Sequence, residues 1–134
     1  AAQPTQVGVI DAAISEFEMI VSDCENLLEA SHPYTLTAQT NLAAVYRSKG
    51  RIREAVDLLE RVVERRLVIP GPGHLLTLRT RRSLALYRSF IDPHGSAGVV
   101  RELEDVVRVS ETSLGRNHRD TIIARDLLDK LLRL

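Results

Sequence analysis

The sequence predicts an all-α fold, an α-solenoid of six helices stacked as antiparallel pairs. Three observations predict it. A five-residue apolar pattern with helical spacing occurs three times. A His-x-x-Thr motif occurs three times in alternation with it. Nowhere is the apolar–polar alternation of a half-buried strand sustained.

The apolar pattern is Ala13, Ile14, Phe17, Ile20 and Val21, then Ala55, Val56, Leu59, Val62 and Val63, then Val99, Val100, Leu103, Val106 and Val107. Positions i, i+1, i+4, i+7 and i+8 share one face of an α-helix. The second motif begins at His32, His74 and His118, at spacings of 42 and 44 residues, with Thr35, Thr77 and Thr121 three positions on. Leu42-Ala43 matches Leu84-Ala85, and Leu128 continues the leucine slot.

Naming the helices after the His-x-x-Thr motifs A and the others B, the order reads B 8–28, A 35–48, B 52–68, A 77–91, B 96–113 and A 121–133. The chain is one domain, 1–134, with repeats over 29–70 and 71–114. Breakers fall between the elements: Gly50, Pro70-Gly71-Pro72-Gly73, Asp92-Pro93-His94-Gly95 and Gly115-Arg116-Asn117. The threonines are expected at the N-cap or in the first turn of each A helix. The histidines are expected to pack in, or hydrogen-bond across, the linker before it. His94 is expected to be exposed. A single helix pair cannot bury its apolar stripe, so such units come in stacks. Ala43, Ala44 and Ala85 let neighbouring backbones approach to roughly 8–10 Å.

Composition narrows the functional classes. With 44% apolar residues, 4% aromatics and no Trp, the core is aliphatic. A formal net charge of zero argues against bulk attraction to nucleic acid or an anionic membrane. The charge is segregated, however. Residues 1–46 hold six acids and no base, and six arginines with no acid lie between Arg65 and Ile91. That arginine run is the sole support for a nucleic-acid reading, so no nucleic-acid partner is expected. No apolar run approaches the roughly 18 residues of a membrane span, and no signal-peptide layout opens the chain. A lone cysteine, Cys24, precludes an internal disulfide and suits a cytoplasmic location.

No catalytic constellation stands out. Three in-register histidines suggest a metal, but equivalent positions in stacked repeats lie about 10 Å or more apart, whereas zinc needs ligands at about 2 Å. Gly71-Pro72-Gly73 reads as a linker, since Pro72 lacks an N–H and no Lys-Ser/Thr follows. Cys24 reads as a semi-buried or surface thiol. No enzyme activity, cofactor, metal or small-molecule substrate is expected.

The segment Asn41-Leu42-Ala43-x-x-Tyr46, with Gly50, Glu54-Ala55 and Leu59, resembles a tetratricopeptide repeat. The long period and the Gly71-Pro72-Gly73-His74 linker resemble the kinesin-light-chain-like subtype. Departures occur later: Arg88 takes the tyrosine slot, Val99 an alanine slot, Leu127 the slot of Asn41, and Asp129 that of Ala43.

The resemblance implies a right-handed superhelix with A helices lining a concave face that takes a protein or peptide. The implied groove positions are Thr37, Thr40, Asn41, Ala44 and Arg47, then Arg79, Arg82, Ser83 and Leu86, then Ile123, Asp126, Leu127 and Lys130. Asn41 can both donate to and accept from a peptide backbone. Arg79 and Arg82, one turn apart, form a fork for carboxylates, which favours an acidic segment or a free C-terminus. The alternative is that these arginines are solvated or bridge to neighbouring helices.

The repeat pattern opens on a B helix and closes on an A helix rich in Ile and Leu. Either this is a section of a longer protein, or the ends associate. Association would use Ile123, Leu127, Leu131 and Leu134, and a homodimer is the expected product.

Overall fold

A computed structural model describes residues 6–92 and 97–133. Pro93, His94, Gly95 and Leu134 lie outside the described residues. Six helices follow one another: α1 (Gln6–Leu27), α2 (Pro33–Ser48), α3 (Ile52–Val68), α4 (Leu75–Ile91), α5 (Ala97–Ser113) and α6 (Arg119–Leu132). No strand occurs among the described residues.

The A helices α2, α4 and α6 each begin two residues earlier than the threonines suggested, because the histidines are the N-caps. His32, His74 and His118 have extended backbone angles, and each accepts a hydrogen bond from the N–H two residues on. The imidazole Nδ1 sits as many bonds from the backbone as the Oδ1 of Asn, a preferred cap, so it reaches the same N–H. The threonines fall in the first turn, fully buried. Thr35 Oγ1 donates to the Glu29 carbonyl at 3.2 Å, and Thr77 Oγ1 to the Arg66 carbonyl at 3.1 Å. Each ties an A helix to the B helix or turn before it. Thr121 Oγ1 is buried without a hydrogen-bond partner among the described residues. At the ends of α3 and α5, Gly71 and Gly115 have positive φ and donate to the Arg66 and Ser110 carbonyls. A left-handed glycine after the last turn is the usual way to satisfy such carbonyls.

The chain divides into two compact units, 1–58 and 59–134, with the division inside α3. In the first unit α1 packs on α2. Ile14 and Val21 of α1 are buried, as are Leu36, Leu42, Ala43 and Tyr46 of α2. Polar contacts fix the pairing: Tyr46 Oη donates to Glu18 at 2.8 Å, and Lys49 meets Asp11 at 2.8 Å. In the second unit Leu78, Ala85, Val99, Leu103, Val106, Val107 and Ala124 form the core. Leu127, Leu128 and Leu131 pack against it.

The second unit also explains one departure from the repeat pattern. Arg88, in the tyrosine slot, bonds Glu60 at 2.9 Å. These are the slots in which Tyr46 meets Glu18. A cation–carboxylate pair replaces a phenol–carboxylate pair at one helix contact.

Candidate functional site

Helices α4 and α6 lie side by side within the second unit, and the furrow between them is an open groove of about 580 Å³. Arg82, Ser83 and Leu86 line one wall, and Ile123, Asp126, Leu127 and Lys130 the other. The spacing explains the lining. Residues 82, 83 and 86, like 123, 126, 127 and 130, recur every three or four positions, so each set shares a helical face. Leu86, Ile123 and Leu127 supply apolar surface. Arg82, Lys130, Asp126 and Ser83 supply charge and hydrogen-bonding groups.

Beside the groove an ion cluster joins α4 to the first turn of α6. Asp120 is 5% exposed. It receives two bonds from Arg79, at 2.8 and 3.1 Å, and one from Arg82 at 3.2 Å. The Arg79 hydrogen bonds hold the Asp120 carboxyl down at about 2, against the opposing effect of burial and with further help from Arg82. The arginine fork thus grips a carboxylate of its own chain. Arg79 keeps 48% side-chain exposure and Arg82 19%.

A second opening of about 360 Å³ lies between α5 and α6, lined by Glu104, Val107, Arg108, Glu111, Thr112 and Leu128. It carries two acids and one base, with less apolar surface than the α4–α6 groove.

The remaining sequence-derived site residues are distributed as follows. Thr37, Asn41, Ala44 and Arg47 are exposed on α2, in the first unit, and Thr40 is half-buried there with its hydroxyl on the Leu36 carbonyl. Among the proposed self-association residues, Leu127 and Leu131 pack on the α5 core, and Ile123 faces the groove at 38% exposure. Leu134 is outside the described residues.

Sequence reasoning missed three features. Asp120 breaks the pattern of its slot, occupied by Tyr34 and Leu76 in the other repeats. An acid there, one repeat beyond Arg79 and Arg82, was the available signal. Arg66 is 6% exposed, with Nη1 2.7 Å from the Thr80 hydroxyl, and burial lowers its pKa. The equivalent pairs are Cys24 with Ala38 and Ser110 with Ala124, so no repeat logic foretold an arginine. Tyr46 is the third. Burial, then its bond to Glu18, pushes its phenol up to about 12.

Among the described residues no group of three or more His, Cys, Asp and Glu could hold a metal ion. No described helix is long and apolar enough to cross a membrane.

Helix pairs that recur at one phase, with a neighbour completing each core, define a helical-repeat protein. Residues 5–67 match the tetratricopeptide repeat family model. That segment carries tetratricopeptide repeat sequence, a type that generally serves as a protein–protein interaction module, and the six helices have a TPR-like fold. The chain is similar in structure to the nearly identical TPR-like repeats of a kinesin light chain assigned in Podosopora anserina, with TM-score 0.83 and 27% identity. That match covers 94% of this chain and 59% of the other. A single-site variant of the same Podosopora anserina repeats gives TM-score 0.81 and 26% identity, over 92% and 57% of the two chains. The chain therefore spans less than two thirds of the structures it resembles. No curated protein matches it.

Proposed function

We propose that this chain is a non-catalytic module that binds a peptide segment of a partner protein in the groove between α4 and α6. One observation carries the reading. Leu86, Ile123 and Leu127 form an open apolar floor, flanked by Arg82, Ser83, Asp126 and Lys130. Apolar surface supplies affinity, and a few placed polar groups fix the register of a bound chain. Lys130 and the edge of Arg82 turned from Asp120 favour a carboxylate on the ligand. That preference is modest, because Asp126 stands on the same wall. Thr37, Asn41 and Arg47 form an exposed polar face on α2, in the first unit.

The test starts from peptides selected on the intact chain from a random display library. Their Kd values are then measured against Ser83→Trp, which fills the groove, and Lys130→Glu, which inverts its rim charge. Ser83→Trp should weaken binding at least 10-fold with the helical circular dichroism unchanged. Lys130→Glu should weaken acidic peptides more than neutral ones. Unchanged Kd values in both folded variants would remove the groove from consideration.

Self-association is a second reading, and α1 supports it better than α6. Ile20 is 45% exposed although its equivalent in α5, Val106, is 1% exposed. Leu27 and Met19 of α1 are also largely exposed. Such a face invites a second helix. Sedimentation velocity across a hundredfold concentration range decides it: a constant monomer dismisses self-association.

A further inference from the structure

All three A helices are capped by an imidazole. Tyr34, Leu76 and Asp120 donate their backbone N–H to Nδ1 of His32, His74 and His118, at 3.1, 3.1 and 3.0 Å. Ser, Thr, Asp and Asn are the commoner caps, and above about pH 5 none of them changes its accepting power. A histidine cap is different, because the accepting atom is also a protonation site. Once Nδ1 carries a proton it has no lone pair to offer, and the imidazolium places positive charge at the positive end of a helix.

We infer that the histidine caps form a proton-sensitive fastening. A proton on Nδ1 of His32 and His74 removes the acceptor and releases the first turns of α2 and α4, while that of α6 is spared. Each cap sits where the chain turns from a B helix into an A helix. His32 N–H bonds the Glu29 carbonyl, and His74 N–H bonds the Gly71 carbonyl. Releasing a cap therefore loosens the turn as well as the helix end. The second turn is tightly fitted, since a Cβ on Gly73 would come within 2.6 Å of Ser113 Oγ on α5.

The charged groups around the caps set the difference between them. At His32 the neighbours are the Tyr34 ring, 5.0 Å away, and Glu29, which holds the turn through its carbonyl. At His74 the turn is held through backbone, the Arg66 carbonyl receiving Gly71 N–H and the Thr77 hydroxyl, while the nearest arginine of α4, Arg79, is turned to Asp120. The first turns of α2 and α4 contain no acid. Among the described residues no carboxylate lies within ion-pair distance of either imidazole. His118 differs. Asp120 Oδ2 lies 3.5 Å from its Nδ1, and Arg79 and Arg82 keep that carboxyl ionised. A proton on His118 gains an ion pair as it loses the cap bond.

The experiment compares thermal unfolding at pH 7.5 and pH 5.5 for the wild-type chain, His32→Asn with His74→Asn, and His118→Asn. Asn preserves the acceptor and does not titrate. The wild type should lose roughly 5 °C of Tm over this interval, the scale of two helix caps in a chain of this size. The double variant should lose less than half of that, and His118→Asn should lose as much as the wild type. An equal Tm loss in wild type and double variant overturns the inference. A readout on the unsubstituted chain guards against a variant that does not fold. The amide proton shifts of Tyr34 and Leu76 should follow the titration of the His32 and His74 rings, and shifts that stay fixed while those rings titrate also overturn it.

Discussion

Replacing Asp120 by Asn should destabilise the chain at neutral pH, by an amount its ion cluster sets. The carboxyl is nearly buried and accepts three bonds from two arginines. Its pKa falls from 3.8 to about 2. At ~1.36 kcal/mol per pH unit this corresponds to roughly 2.4 kcal/mol favouring the ionised folded state. Arg79 is 48% exposed, so solvent screening reduces the contribution to about 1–2 kcal/mol. Asn keeps one acceptor oxygen and the shape, but loses the charge.

The sign with pH follows from the direction of the shift. A carboxyl lowered in the folded state contributes fully above its unfolded pKa. That contribution disappears as pH falls from about 4 toward 2. Urea denaturation at pH 7 should show a lower midpoint with unchanged slope for Asp120→Asn. The gap from wild type should close by about pH 2. A double-mutant cycle with Arg79→Met should return a coupling of about 1 kcal/mol. A folded Asp120→Asn within about 0.3 kcal/mol of wild type at pH 7 would refute the assignment.

Four further outcomes are expected. Tyr46→Phe removes a hydrogen bond to a carboxylate and should cost about 1 kcal/mol at pH 7 by chemical denaturation. Because the folded Tyr46 phenol is raised to about 12, its contribution is intact below pH 10 and lost between about 10 and 12, which absorbance-monitored alkaline unfolding checks. Arg66→Met, which removes a buried charge but keeps the volume, should stay within about 1 kcal/mol of wild type or exceed it. Arg66→Ala opens a cavity and should cost about 2 kcal/mol or more in the same melts.

Helix number, helix order and the alternation of A and B were legible because burial imposes a period on the sequence. Val62, Val106 and Leu103 sit at positions spaced for one helical face, and all are at most 1% exposed. The helix starts were less legible. Thr35, Thr77 and Thr121 have the side chains usual for caps, yet the histidines three residues earlier perform that task, and the threonine hydroxyls of the first two brace the preceding turns instead. The groove positions on α4 and α6 were expected from the resemblance to tetratricopeptide repeats, and Arg82, Ser83, Leu86, Ile123, Asp126, Leu127 and Lys130 line the opening between those helices. That the arginines bridge to a neighbouring helix was one of the two readings the sequence offered, but which acid they meet was not legible, since a charge reveals its partner only when the chain is folded. Arg79 and Arg82 meet an acid 41 and 38 residues away, and Arg66 is buried where the other repeats place Cys24 and Ser110. The leucines of α6 read as surplus apolar surface, but Leu127 and Leu131 complete the packing on α5.

The recognition surface is tested most directly by a crystal structure of the chain with one library-selected peptide. Peptide density is expected between α4 and α6, with a side chain against Leu86, Ile123 and Leu127. A peptide seated instead along Glu104, Val107 and Arg108, or on α1, would contradict it.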